Sequence, residues 1–452
     1  MGDPPVRGRT DEPPEGGETN ISWIQKPWKV SKNEREQLRK TAAGDRCEWY
    51  VRKEERKGNR RGRKFVGCPH QQFIYAIITP PGVDAPFFVP FAPVPVFPHS
   101  PTSTMPTERR VYTLTAGSIS NLRLHADPLP DPGPGEVTVA VRAIGLNFAD
   151  VFAIWGLYSA TPKGEFTPGL EYAGEIVATG AGVDAGRMGE RIMGVTRFGA
   201  YTTHLNIGQE YVIPVPESWD YAEAAGYLVQ GLTAYYALKN LGDLQPGATV
   251  LVHSAAGGVG TQAVRLAKHL GAGVCLGSVG DGAKKAYCRS IGYDHVLVRD
   301  SAFAQKLDAA LDGRPLDLVL ECIGGNMLQL GYDRLGPMGR MVVYGSARYA
   351  QANDTPNKLQ LLWKYLRRPK IDPQAMIENN KGILGFNLIY LYDRAPLMHQ
   401  LLGEMRQFDL PAPHVGARFA FDQLPDAVRR FRNGKTLGKV VVEVGVRAAS
   451  QR

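Results

Sequence analysis

Cysteine is scarce. The 452 residues hold five (Cys47, Cys68, Cys275, Cys288 and Cys322), odd in number and widely spaced. That excludes a disulfide-built scaffold and fits a reducing compartment, so a cytoplasmic location is expected. Long apolar runs are also missing. None approaches the ~18 residues of a membrane span, and the mean hydropathy is -0.23, so an integral helical membrane protein is excluded. No apolar core follows the charged start, so no signal peptide is expected, and Asp3, Asp11, Glu12, Glu15 and Glu18 disfavour an organellar transit peptide. Glycine and proline are instead abundant, 51 and 33 residues against ordinary shares of ~7% and ~5%. Many tight turns follow. The length suggests two or three domains and ample core.

The net charge of +9 is unevenly placed. Residues 1–107 carry +5 of it and the remaining 345 only +4. Residues 1–20 are rich in Pro, Gly and acids with no apolar period, and the basic run RKEERKGNRRGRK occupies 52–64. Nine prolines lie between Pro80 and Pro106. They remove backbone donors, so PFFVPFAPVPVFP forms no regular helix or central strand. Trp23, Trp28, Trp49 and Tyr50 could stack on nucleic acid beside the basic run. A solvated, disordered extension over 1–107 is the simpler reading, and no nucleic-acid partner is expected.

From Val111 the pattern becomes regular. VYTLT (111–115), EVTVAVRAIGLN (136–147), EYAGEIVATG (171–180), ERIMGV (190–195) and AYTTHLNI (200–207) are strand-like runs separated by Gly and Pro turns. They predict a mostly β, barrel-like domain over 108–232. TVLVHSA (249–255), GVCLGSV (273–279), HVLVR (295–299), LDLVLECI (316–323), RMVVYGS (340–346) and ILGFNL (383–388) then alternate with helix-length segments. This predicts an α/β, doubly wound parallel sheet over 233–388. Residues 389–446 are expected to return to the first domain, ending in GKVVVEV (438–444).

HSAAGGVGTQ (253–262) follows an apolar strand and opens an amphipathic helix. Against G-x-G-x-x-G its three positions are Ala255, Gly257 and Gly260, with Gly258 and Val259 between the last two. Such a turn lets backbone approach a pyrophosphate at a helix N-terminus. The second strand ends in LGSVGDGAKK (276–285), with Gly277 and Ser278 where an NAD site places its acid. Lys284 and Arg299 supply cations for a 2′-phosphate, so NADP(H) is the expected cofactor; Asp281 is the dissenting residue.

GLNFADVFAIWGLY (145–158), PGLEYAGEIVATG (168–180), QGLTAYYAL (230–238) and LVHSAAGGVG (251–260) resemble the medium-chain dehydrogenase/reductase superfamily. More narrowly, the chain resembles its zinc-free quinone oxidoreductase, zeta-crystallin-like group. LQPGATVLVHSAAGGVG (244–260) and GFNLIYLYDR (385–394) look closest to the synaptic vesicle amine transport protein-like branch. The resemblance implies a GroES-like catalytic domain wrapped around a Rossmann domain, and a homodimer. Zinc-dependent relatives carry a Cys where this chain has Asn147 and a His where it has Leu170, so no metal is expected. Without that Lewis acid, the implied reaction is hydride transfer from NADPH to a quinone or an α,β-unsaturated carbonyl. Asn147, Asp150 and Tyr158 are the implied catalytic residues, with Phe152 standing where related enzymes often have a proton-donating Tyr. Thr233, Gly345, Ser346, Phe386 and Asn387 should approach the nicotinamide, and Lys439 the adenosine side. A non-catalytic NADPH-binding, lipid-associated protein is the alternative, in which WKYLRRPK (363–370) touches a membrane peripherally.

Overall fold

A computed structural model of the chain describes residues 107–445 in full and, before them, the backbone of four strands. These are β1 (Tyr50–Glu54), β2 (Arg63–Gly67), β3 (Ile74–Ile78) and β4 (Phe87–Pro90), paired antiparallel in that order. The proline-rich run thus contributes an edge strand, the position in a sheet that tolerates proline. A disordered extension is expected from the sequence over 1–107; these four strands fall inside it, and its remaining residues before 107 lie outside the described residues.

The second unit begins with β5 (Thr107–Thr115), β6 (Arg123–Leu129), β7 (Glu136–Gly145), β8 (Glu165–Phe166), β9 (Glu171–Thr179), β10 (Arg191–Val195), β11 (His204–Gly208) and β12 (Val212–Pro214). A parallel set follows: β13 (Thr249–His253), β14 (Val274–Val279), β15 (His295–Val298), β16 (Leu316–Glu321), β17 (Leu335–Val343) and β18 (Gly382–Gly385). The chain ends with β19 (Val415–Ala420) and β20 (Lys439–Glu443). One sheet runs β12-β10-β9-β7-β20-β19 with β11 also on β7, and a small sheet runs β6-β5-β8. The six parallel strands run β15-β14-β13-β16-β17-β18. The parallel sheet is therefore an insertion between β12 and β19, and β20 closes the outer sheet against β7 at Val441↔Gly145 and Val442↔Ile144.

All five residues of β13 are buried. Val250 and Val252 pack in one core with Ala263, Val264 and Leu266 of the helix Gly258–His269. Leu251 faces the opposite core, with Phe303, Leu307 and Leu311 of the helix Phe303–Leu311. A strand covered on both faces reads as an unbroken apolar run, which is why the sequence exposed this sheet so clearly. The strands missed by sequence reading are β6, β8 and β12 in this unit, besides β1 to β4 in the extension. β6 carries His125, Asp127 and Pro128 in a largely exposed edge position, and β8 and β12 have two and three residues.

The order β14-β13-β16 makes the carboxyl ends of β13 and β16 the topological switch point, where α/β sheets bind their ligands. The turn after β13 stands there. Ser254 takes a positive φ of 55°, and a Cβ on Gly260 would lie 2.5 Å from the Ser254 carbonyl oxygen and 2.6 Å from that of Ala255. Glycine at 260 is what lets the helix start this close to the strand.

Candidate active site

A cavity of about 1090 Å³ opens beside the switch point, large enough for a dinucleotide with a small second molecule. Gly257, Gly258, Val259 and Gly260 form one wall. A Cβ on Gly258 would reach 2.7 Å from the Gln230 side-chain oxygen. Lys284 and Arg299 line one end, while Gly345 and Ser346 after β17, Phe386 and Asn387 after β18, and Thr233 line the remainder with Asn147 and Tyr158. Ala255, Ser278 and Asp150 do not reach the cavity; all three are buried behind its wall.

Asn147 precedes the helix Phe148–Ile154, and its backbone N–H donates to Asp150 Oδ2 at 2.7 Å. Its side chain is fully engaged. Nδ2 donates to the Gly145 carbonyl (3.2 Å) and Glu171 Oε1 (3.0 Å). Oδ1 accepts from Lys439 Nζ (3.0 Å) and from Gln230 Nε2. An amide has two donors and two acceptor lone pairs, so none of Asn147 is left for a substrate.

Lys439 departs from its expected place. Its ammonium is 2% exposed and forms an ion pair with Glu171, itself 1% exposed, while also bonding Asn147. Lys439 lines the cavity, with its ammonium turned to Asn147 and Glu171. Asn147, Leu170 and Glu171 are the positions matched to the zinc-dependent relatives' motifs, and an ammonium already lies between Asn147 and Glu171. The Glu171 Oε2 oxygen is taken by the Val229 N–H at 3.0 Å. Among the described residues no three His, Cys, Asp or Glu converge as metal ligands.

The two cations differ in freedom. Lys284 Nζ donates to the Gly434 and Thr436 carbonyls at 2.6 and 2.9 Å, so it also ties down the loop before β20. Burial and then the Arg299 charge push its pKa below the usual lysine value. Arg299 Nη1 donates to the Ser278 carbonyl (3.0 Å) and Oγ (3.1 Å), and no carboxylate among the described residues forms an ion pair with it. Asp281, the dissenting acid, accepts the Ala283 N–H at 3.0 Å as the cap of a short helical turn.

Tyr158 donates its hydroxyl to Asn387 Oδ1 at 2.6 Å across the cavity. Burial raises its pKa, so the phenol keeps its proton. Gln230, Glu171, His253 and Glu321 were missed as site residues, while Ser278, expected at the cofactor, lies buried behind Arg299. Gln230 and Glu171 stood inside quoted motifs, but nothing local told that they meet Asn147.

Asp150 is 1% exposed and its Oδ1 has no hydrogen-bond partner. Burial raises its pKa from 3.8 to about 7, against smaller opposing effects from the Asn147 N–H and Lys439. A carboxyl whose folded pKa is raised binds more protons folded than unfolded, so its contribution to stability falls as pH rises from about 4 to about 7. Asp150→Asn keeps an oxygen for the Asn147 N–H and cannot ionise. Thermal unfolding of the variant should match the parent near pH 4 and exceed it at pH 8, by a gap on the order of a few kcal/mol.

The alcohol dehydrogenase GroES-like domain family matches residues 133–238, and the zinc-binding dehydrogenase family matches residues 258–393. The human synaptic vesicle membrane protein VAT-1 homolog is 32% identical over 343 residues, 74% of this chain and 86% of the relative. The CurK enoyl reductase crystal structure is 29% identical, with a TM-score of 0.63 over 75% of this chain and 100% of that one. A mycobacterial protein solved in complex with NADPH is 26% identical, with a TM-score of 0.63 over 75% of this chain and 100% of that one. The chain belongs to the medium-chain dehydrogenase/reductase superfamily of oxidoreductases, in its VAT-1-like branch.

Proposed function

We propose that this protein is a zinc-independent, NADPH-dependent reductase of quinones or α,β-unsaturated carbonyls. One observation carries the reading: a single cavity joins a glycine turn and two cations at one end to Tyr158 and apolar walls at the other. The turn fits a dinucleotide, because side chains at Gly257 and Gly258 would narrow the approach to the helix N-terminus. The NADPH complex of the mycobacterial relative and the enoyl reductase relative support the same reading. Gly257 to Gly260 would hold the pyrophosphate, Lys284 and Arg299 the 2′-phosphate, and Gly345, Ser346, Phe386 and Thr233 the nicotinamide end. Bound there, NADPH supplies a hydride.

The chain's own part is orientation and proton supply. Asn147 acts through Lys439, Glu171 and Gln230 as a strut, since its hydrogen bonds are all internal. Tyr158 presents a protonated phenol to the cavity, held by Asn387. Its single proton is on Asn387 Oδ1, so it would have to turn away from Asn387 to hydrogen-bond the oxygen on which charge develops as a conjugated acceptor is reduced. Delocalisation in the acceptor replaces polarisation by a metal. A dication between Asn147 and Glu171 would meet the Lys439 ammonium.

A second reading is favoured by one surface feature. In the helix Lys358–Leu366 no residue is buried, and Leu359, Leu362, Trp363 and Leu366 are 79%, 54%, 55% and 67% exposed. They fall at i, i+3, i+4 and i+7, one helical stripe. Lys364, Arg367, Arg368 and Lys370 adjoin it, with the Arg367 guanidinium 4.6 Å from the Trp363 ring centroid. The cationic rim disfavours a second copy and suits an anionic lipid surface, on which the reductase would act peripherally. Co-sedimentation with vesicles containing phosphatidylserine should fall at least about fivefold in Leu362→Ser/Trp363→Ser at unchanged folding. Equal binding to purely zwitterionic vesicles would remove the electrostatic part.

With 1,4-benzoquinone or a simple enone as acceptor, kcat/KM should favour NADPH over NADH by at least about tenfold, roughly 1.4 kcal/mol. Arg299→Ala should shrink the ratio by weakening NADPH alone; equal losses for both cofactors would remove the 2′-phosphate assignment.

Turnover should survive exhaustive chelation at full rate. Elemental analysis showing about one zinc per chain, with activity lost on its removal, would overturn the metal-free assignment.

A further inference from the structure

Behind the cationic end of the cavity, four neighbouring strands of the parallel sheet end in a row of polar residues. Arg299 follows β15, Ser278 lies in β14, His253 ends β13 and Glu321 ends β16. His253 and Ser278 are register partners. Ser278, His253 and Glu321 are all 0% exposed. Three adjacent, fully buried polar residues at the ligand-facing ends of these strands require a reason.

These residues touch in sequence from Arg299 to Glu321. Arg299 Nη1 donates to Ser278 Oγ at 3.1 Å. Ser278 Oγ and His253 Nδ1 are 2.6 Å apart, a bond in which the hydroxyl donates when the imidazole carries its proton on Nε2. On that tautomer the Nε2 proton faces Glu321 Oε2, 3.3 Å away, within ion-pair distance but outside hydrogen-bond geometry. The other carboxylate oxygen, Oε1, accepts the Ile323 N–H and, at 2.7 Å, the Gly324 N–H. Ile323 itself lines the cavity. Burial holds His253 toward its neutral form, as an acceptor-and-donor link needs.

This arrangement solves a specific problem. Arg299 is partly buried and needs a compensating negative charge. A carboxylate paired to it directly would consume the guanidinium face a phosphate requires. Glu321 compensates it through two neutral side chains and leaves that face open to the cavity.

We propose that Glu321, His253 and Ser278 are positioning residues that hold Arg299 for the 2′-phosphate of the cofactor, so that discrimination between NADPH and NADH is set by this buried string. The inference rests on the cofactor reading given above. The string also joins the phosphate end of the cavity to the loop at Ile323, through backbone bonds to the same Glu321 carboxylate.

The test uses the full chain with Glu321→Gln and His253→Gln, each nearly isosteric, and Arg299→Ala as reference. Titration with NADPH, NADH, 2′,5′-ADP and 5′-AMP, followed by calorimetry, reads binding without turnover. Both string variants should weaken NADPH and 2′,5′-ADP by about threefold to thirtyfold. NADH, 5′-AMP and kcat should stay within about twofold, a split that general damage to the fold would not give. If Arg299→Ala weakens NADPH selectively and neither string variant does, the positioning role is wrong while the cofactor reading stands. If Arg299→Ala changes nothing, the cofactor reading fails and the proposal falls with it. Should His253→Gln not fold, Ser278→Ala with Glu321→Gln decides by the same readings.

Discussion

The ion pair between Lys439 and Glu171 is the constraint around which the candidate site is arranged. Taking both charges out of water is costly, and removing one partner of such a pair commonly costs 3–5 kcal/mol. The pair survives because each charge is further bonded, Lys439 to Asn147 and Glu171 to Asn147 and to the Val229 N–H. Those bonds fix three things at once. They orient Asn147 at the start of its helix, they dock the helix Leu228–Tyr235 at the entrance to the parallel sheet, and they seat β20 against β7. The glycine turn is attached to the same strand: Gly257 bridges Gly438, and the Gly438 N–H bonds the Ala256 carbonyl at 2.8 Å.

The opposite rim of the cavity is built from the segment after β18. Tyr158 meets Asn387, Ser159 receives the Tyr390 hydroxyl at 2.9 Å, Tyr211 stacks on Tyr392 with centroids 4.2 Å apart, and Arg197 pairs with Asp393. These contacts clip the parallel-sheet part of the chain to the barrel-like part with side chains that are half exposed. A second clip is Asp354, which takes Arg429 and Arg432 while its carbonyl accepts the Trp155 indole N–H at 2.7 Å. The fixed back wall and the clipped rim thus differ in kind: one is a desolvated network, the other a set of exchangeable surface bonds.

The sequence was most legible where the physics is local. The turn HSAAGGVG lies between a fully apolar strand and an amphipathic helix, so its glycines and their purpose could be read within ten residues. Lys439 could not be placed because its partners Asn147 and Glu171 lie 292 and 268 residues away. Ser278 was recognised as a strand-end residue but not as buried, since burial depends on the neighbouring strands. His253 stood at the start of the glycine motif and Glu321 inside LDLVLECI, and neither showed a partner in its own run. Both acquire their meaning only when the order β14-β13-β16 sets them side by side.

The position of β20 in the chain has a consequence for biogenesis. It is the last strand of the described residues, yet it lies inside the outer sheet, between β7 and β19, and carries the only ammonium that neutralises Glu171 among the described residues. During synthesis the parallel sheet can collapse on its own cores while Glu171, β7 and the glycine turn wait for a segment still in the ribosome tunnel. Until Lys439 emerges, the catalytic half holds an unpaired carboxylate facing an open sheet position. At that stage the parallel sheet has its strands while the glycine turn and the reaction chamber still lack the segment that completes them, and a chaperone arriving then would find an open edge on β7 at Ala143, Ile144 and Gly145.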